Sequence, residues 1–227
     1  MLPTFRQDAR KAIEMAVQAE EAGLDGVFAF DHLWPLGSPE RPALSCRLVL
    51  AAVAARTERI VTGTLVSRVG LLPDEILLAE LRGVQEVSGG RLVAGLGVGD
   101  RKSVDEHLRT GIPMAPAGER RAAMSAVGRA LTAGGATVWI GGGSPATTAV
   151  GVDLGVPVNL WEAPEPAVAA VFAAGAREVT WGGPLPDDPV AAGGRVASLA
   201  AAGVSWVVVA IPRTVGRVVE IRAAAGL

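Results

Sequence analysis

The sequence predicts a (βα)8 barrel spanning residues 1–227 as one domain, with its first strand abbreviated or partly missing. Three observations lead there. Short apolar runs alternate with amphipathic segments along the whole chain, the signature of parallel βαβ units. Seven strand–helix pairs can be counted, close to the eight of a barrel in roughly 250 residues. No linker or residue-level repeat divides the chain. A doubly wound open sheet is the competing arrangement of the same units.

Each element has its own signals. Residues 6–22 form a helix: Ile13, Ala16 and Val17 keep the i, i+3, i+4 spacing, Asp8 is an early acid and Gly23 stops it. A strand covers 24–30. After a Pro-rich loop at 33–42, a helix runs over 44–56 and a strand over 59–66. Pro73-Asp74 opens a helix with Leu77, Leu81, Val84 and Val87 on one face, ended by Gly89-Gly90; residues 91–96 are the next strand. Residues 97–116 read as a long polar loop, followed by a helix to 133. The rest alternates strand and helix: 137–140, 145–154, 156–160, 164–174, 178–181, 189–202, 205–211 and 214–225. The oddity is the start. Only residues 1–5 are available for a first strand, and Pro3 cannot donate to a ladder. A weakly filled first position would leave its neighbours' ladder groups exposed, for a second subunit to cover in a possible homodimer.

Composition narrows the function classes. With 21 basic and 23 acidic residues, the chain carries no electrostatic footprint for nucleic acid or an anionic membrane. The single cysteine, Cys46, excludes an internal disulfide and a multi-cysteine metal site, and is expected to be a small apolar filler in a helix. No run is long enough to span a membrane and no secretory signal is evident, so a cytoplasmic protein is expected. Two histidines far apart, without a carboxylate framework, make no metal site; His107 is expected at the surface. Arg120-Arg121 read as a solvated or salt-bridged helix start.

In a barrel, chemistry sits where the strands end. The strand "VFAF" empties directly into Asp31-His32, and ionisable groups at such a mouth are candidates for proton transfer. Asp31 could equally orient His32 or cap a turn. The third strand ends in Val66-Ser67-Arg68. The fourth gives "GLGVGD", with Gly95, Gly97, Gly99 and Asp100; it lacks the spacing of a dinucleotide fingerprint. The fifth gives Gly141-Gly142-Gly143-Ser144 leading into a helix at Pro145. There Ser144 can cap, and free N–H groups can meet a phosphate. The sixth ends in Asn159 and Trp161, the seventh in Trp181 and two glycines, the eighth in Pro212-Arg213.

Together these segments resemble the luciferase-like monooxygenase family, which includes bacterial luciferase and the deazaflavin (coenzyme F420)-dependent oxidoreductases. The resemblance rests on "AEEAGLDGVFAFDHLWP", "AARTERIVTGTLV", "LPDEILLAEL", "SGGRLVAGLGVGD" and "VWIGGGSP", in the family's order. It implies a barrel holding a flavin or deazaflavin. His32 would bind substrate or assist proton transfer beside the reactive ring, with Asp31 orienting it. Trp34 would face substrate, as Trp161 is also expected to do. Leu65-Val66 would form a non-proline cis peptide propping the ring. Asp100 would stand where some deazaflavin dehydrogenases carry a glutamate proton donor, one methylene shorter. Gly95, Gly97 and Gly99 would let the ring and backbone approach, and Gly141, Gly142, Gly143 and Ser144 would cradle the phosphate.

The expected function is therefore an oxidoreductase using coenzyme F420 or FMN to exchange a hydride with a small-molecule substrate. An FMN-dependent monooxygenase is the alternative within the class. A non-catalytic ligand-binding or dimerising barrel is the alternative outside it.

Overall fold

A computed structural model describes residues 1–5, 8–35, 37–210 and 214–227. The start of the first predicted helix at Arg6 and the predicted strand end at Pro212-Arg213 lie outside the described residues. Seven parallel strands form one sheet in sequence order: β1 (Gly26–Ala29), β2 (Val61–Arg68), β3 (Leu92–Gly97), β4 (Thr137–Gly142), β5 (Val158–Trp161), β6 (Val179–Gly183) and β7 (Val204–Val209). Around them run α1 (Ala9–Glu21), α2 (Cys46–Ala54), α3 (Asp74–Val87), α4 (Val104–Thr110), α5 (Ala117–Ala133), α6 (Pro145–Leu154), α7 (Glu165–Ala173), α8 (Pro189–Ala201) and α9 (Val215–Ala224). The arrangement is a (βα)8-type barrel in which β1 holds the second strand position.

The first position is filled only in part. The Met1 nitrogen donates to the Val209 carbonyl of β7 at 2.9 Å, and Leu2 N donates to the Phe28 carbonyl of β1 at 2.7 Å. These two residues join β7 to β1 at their upper ends. Below them lies a cavity of about 100 Å³ lined by Met15, Ala19, Leu24, Val27, Phe28 and Trp206, where the lower half of a full strand would sit.

Alternation along β1 separates the two layers. Val27 and Ala29 join the cluster beneath α1, α2, α3 and α5, while Phe28 points into the barrel. Inside, Phe28 stacks on Trp139 at 5.1 Å, and Trp206 meets both rings edge-on, at 6.1 and 5.7 Å. Three aromatic side chains from three strands thus fill the barrel's lower interior, a packed core rather than a pore. The glycines opposite make the room: a β-carbon at Gly63 would lie 2.4 Å from the Phe28 ring.

The bottom of the barrel is latched by two charged side chains. The Arg91 guanidinium donates to the carbonyls of Ala54, Thr57, Ile60 and Ser88 at 2.6–3.0 Å. The Glu20 carboxylate accepts from the N–H groups of Glu58, Arg59 and Ile60 at 2.7–3.1 Å. Burial pushes the Glu20 carboxyl up, and these three donors outweigh it and hold it below its ordinary value.

One predicted element is corrected. The segment expected as a long polar loop contains α4, ended by Gly111 in the left-handed region at φ 69°. Seven residues give too little periodicity to register against their polar composition.

Two stability outcomes are expected. Arg91→Ala should lower the unfolding free energy by about 2–3 kcal/mol, from charged hydrogen bonds lost to buried carbonyls. Gly63→Ala should cost about 1–3 kcal/mol by overpacking against Phe28. Urea melts read both, and an unchanged midpoint in either variant contradicts the corresponding contact.

Candidate active site at the barrel mouth

The mouth is built at the upper ends of β1, β2 and β3. β2 carries a non-proline cis peptide, Leu65-Val66, and its register against β3 shifts between Thr64 and Ser67. Three glycines seat this step. A β-carbon at Gly95 would lie 2.1 Å from the Thr64 carbonyl oxygen, one at Gly97 2.4 Å from Val66 Cγ2, and one at Gly141 3.2 Å from Val66 Cγ1. These glycines therefore make room for Val66 and its backbone. Gly99 adopts φ 69° and packs beside Ser103 and Arg68.

Asp31 and His32 part company. Strand alternation sends Asp31, like Ala29, away from the barrel axis. Its carboxylate is 6% exposed, pairs with Arg47 of α2 at 2.9 Å, and accepts from Arg68 N at 3.0 Å. The sequence makes Asp31 a candidate for proton transfer at the mouth or for orienting His32; its carboxylate is turned to the helix layer instead. Arg47 continues the chain of charges to Glu80 of α3. Cys46 lies in the same buried pocket, its thiol 3.5 Å from Asp31 Oδ1, and burial pushes that thiol well above its ordinary value.

The imidazole is held by a residue absent from the predicted site. Glu106 of α4 is fully buried; its Oε1 accepts from Leu33 N at 2.6 Å and its Oε2 lies 3.3 Å from His32 Nδ1. The same Oε2 accepts from Arg68 Nη1, while Arg68 Nη2 donates to the Asp31 carbonyl at 2.5 Å. Arg68 Nε is buried with no partner among the described residues. Burial raises the Glu106 carboxyl, but His32, the Arg68 guanidinium and Leu33 N outweigh it and hold the group below its ordinary value. A sequence signal for α4 existed: Gly111 suits a helix C-terminus, and Asp105 pairs with Arg109 at i, i+4.

Aromatic side chains ring the opening. Phe30, the inward residue after Phe28, stacks on Phe5 at 5.6 Å and meets Trp161 edge-on at 5.5 Å; both phenyl rings lie 6.4 Å from the His32 ring. Trp161 is 41% exposed; its indole lies against Gly182, 3.0 Å from where a β-carbon would stand, and its Nε1 donates to Glu162 at 2.9 Å. Trp34 lies beneath the Arg109 guanidinium and packs the loop onto α4.

The remaining predicted residues are placed as follows. Asp100 is exposed and caps its own 3₁₀ turn, accepting from Lys102 N at 2.8 Å. Ser144 caps α6 in a reciprocal box with Thr147, whose Oγ1 accepts from Gly143 N and Ser144 N at 3.2 and 3.1 Å. Two N–H groups of the expected cradle are thus already engaged. A β-carbon at Gly142 would lie 2.6 Å from Val158 Cγ1, so this glycine faces packed core, whereas nothing stands within 4 Å of one at Gly143. His107, expected at the surface, is buried, with Nδ1 3.2 Å from the Ile112 carbonyl oxygen. Arg120 is half-buried and donates to the Ala115 carbonyl. Among the described residues, no cluster of ligands could hold a metal ion, and no helix is long and apolar enough to cross a membrane.

Glu106 carries a pH signature. Its folded pKa is depressed, so its contribution to stability is present above the ordinary glutamate value of about 4.3 and is lost as pH falls through the folded value. The facing charges are Arg68 and His32. The stability gap between wild type and Glu106→Gln should be full near neutrality and close below about pH 4. Thermal melts across that range check it; a gap that stays constant contradicts an ionised Glu106.

Residues 2–131 match the family model for luciferase-like monooxygenases. Among curated proteins, the chain is 35% identical over 91 residues to the F420-dependent glucose-6-phosphate dehydrogenase of Kineococcus radiotolerans. That match covers 40% of this chain and 27% of the relative, so the chain spans about a quarter of the curated relatives' length. Among solved structures, the coenzyme F420-dependent tetrahydromethanopterin reductase of Methanopyrus kandleri superposes with a TM-score of 0.76 at 15% identity, over 99% of this chain and 95% of that one. The monooxygenase RslO1 of Streptomyces bottropensis superposes with a TM-score of 0.72 at 17% identity, over 98% and 96%. The structural likenesses establish the fold. With residues 2–131, more than half of its length, answering to the family model, the chain belongs to the luciferase-like monooxygenase family.

Proposed function

We propose that the chain is an oxidoreductase that binds coenzyme F420 at the barrel mouth and exchanges a hydride with a small organic substrate. The observation that carries the reading is the mouth itself. The Leu65-Val66 step, seated on Gly95, Gly97 and Gly141, stands beside the strand that ends in His32. A flat ring fits such a backbone platform, with Phe30 and Trp161 as aromatic walls. The resemblance of residues 2–131 to the family and the F420-dependent curated relatives support the same reading.

When bound, the deazaflavin supplies the hydride acceptor or donor. The protein supplies position and protons. His32 stands at the opening to take a proton from a substrate hydroxyl or return one. Asp31 stays buried, holding the end of β2 to α2 through Arg47 and Arg68 N. Gly143 gives a phosphate access to the start of α6, where Thr147 Oγ1 would share or yield its two N–H donors. FMN presents its phosphate to the same place. The luciferase-like monooxygenase family of residues 2–131 supports a monooxygenase, with FMN as its cofactor, as the second reading.

Titration with F420 and with FMN, followed by cofactor fluorescence, tests this. F420 should bind. Gly143→Val should weaken binding about tenfold or more with a nearly unchanged melting temperature, since the position is exposed and a β-carbon there has no protein atom within 4 Å. FMN binding with oxygen consumption in place of F420 binding would move the assignment to the second reading. Binding of neither would overturn the enzyme reading.

A further inference from the structure

We infer that Glu106 is the positioning residue for His32, holding its ring as the Nδ1–H tautomer so that Nε2 presents its lone pair at the barrel mouth. The inference rests on the oxidoreductase reading for its consequence in turnover, and on geometry alone for the tautomer.

The neighbouring carboxylate cannot do this work. Asp31 faces α2, and both its oxygens are engaged, Oδ1 by Arg47 of α2 and Oδ2 by Arg68 N at the end of β2. Glu106 reaches the imidazole from a helix 74 residues further along the chain. Its position is fixed from three sides. Leu33 N holds Oε1, Arg68 Nη1 holds Oε2, and the side chain is only 1% exposed. An ionised carboxylate accepts hydrogen bonds and donates none. At 3.3 Å from Oε2, His32 Nδ1 must therefore carry the proton, and in the neutral ring the lone pair falls on Nε2. Arg68 keeps the carboxylate in place and anchors the start of the His32 loop through the Asp31 carbonyl. The ring itself is 23% exposed and lies beside Phe5 and Phe30. The arrangement gives a base whose unprotonated nitrogen is chosen by a buried carboxylate, the division of labour seen wherever a carboxylate orients a catalytic imidazole.

The test uses the chain's two histidines. In protein labelled with ¹⁵N at histidine, long-range ¹H–¹⁵N correlation spectra above the titration range distinguish the tautomers. His107→Gln identifies which signals belong to His32. Wild-type His32 should show Nδ1 as the protonated nitrogen; an Nε2–H tautomer in the wild type overturns the inference without need of any variant. Glu106→Ala removes the acceptor and should shift His32 to a mixture of tautomers. It should lower kcat by about 10- to 100-fold, within the range of a lost general-base contribution, and leave F420 affinity within about twofold. Glu106→Asp, which keeps the charge but is one methylene shorter, should recover part of both the tautomer and the rate. A preserved Nδ1–H tautomer in folded Glu106→Ala, or an unchanged kcat with the tautomer lost, also overturns it. Failure of the wild type to bind F420 counts against the oxidoreductase reading and leaves the tautomer result to stand on its own.

Discussion

The upper half of this barrel depends on one guanidinium. Arg68, at the end of β2 and 4% exposed, offers its backbone N–H to Asp31, one side-chain amino group to the Asp31 carbonyl and the other to Glu106. Together with Glu106 it brings the turn after β1, the end of β2 and α4 into a single set of charged hydrogen bonds. Burying so many charges costs solvation, and the cost is offset only because each has an opposite partner in contact. Removing the Arg68 charge would leave the Glu106 carboxylate without its cationic partner and the His32 loop with one anchor fewer, while Asp31 would keep its pairing with Arg47. The neighbouring pair, Arg47 with Asp31 and Glu80, extends the same alternation of sign into the helix layer.

The platform beside this network obeys a steric constraint instead of an electrostatic one. Val66 stands where the next two strands would ordinarily carry side chains, so β3 and β4 present glycines to it. The "GLGVG" and "GGG" runs are conspicuous in the sequence, and they invite a reading as ligand cradles. The packing distances assign most of that glycine to the protein's own backbone and to Val66 and Val158, leaving Gly143 as the position open to space. Absence of a side chain marks a close approach, but the approaching group is as often the fold as a ligand.

The sequence made the strand order, most helix bounds and the weak first strand legible, because periodicity, Gly stops and Pro starts act locally. Three of the five segments that carry the family resemblance supply the bottom latch: Glu20 of "AEEAGLDG", Thr57 and Ile60 of "AARTERIV", and Arg91 of "SGGRLV". They identify the barrel through what holds it shut. The site was legible only in part. Strand alternation from Phe28 already sends Asp31 outward, yet its adjacency to His32 suggested partnership. Glu106 was hidden for a different reason. It belongs to a helix of seven residues in a polar stretch, and its importance comes from a contact across 74 positions that no local pattern encodes.

That contrast bears on how such a mouth can change its chemistry while keeping the barrel. The lower interior is filled by Phe28, Trp139 and Trp206, which pack up against Leu65 and Val66, and it is closed beneath by Arg91 and Glu20. Platform and imidazole arise from strand ends that the barrel places automatically. What sets the state of the imidazole is α4, carried on the connection between β3 and α5 and joined to the rest of the mouth by the Glu106 contacts and the Arg109–Trp34 stacking. A substitution or insertion in that connection would leave the strand ladder and the packed interior unchanged while altering the partner of His32. The division is one of free energy as well as position. Stability resides in the buried aromatic and latch contacts, whereas the site hangs on a short helix whose attachment is mainly polar and sensitive to protonation of a single carboxylate.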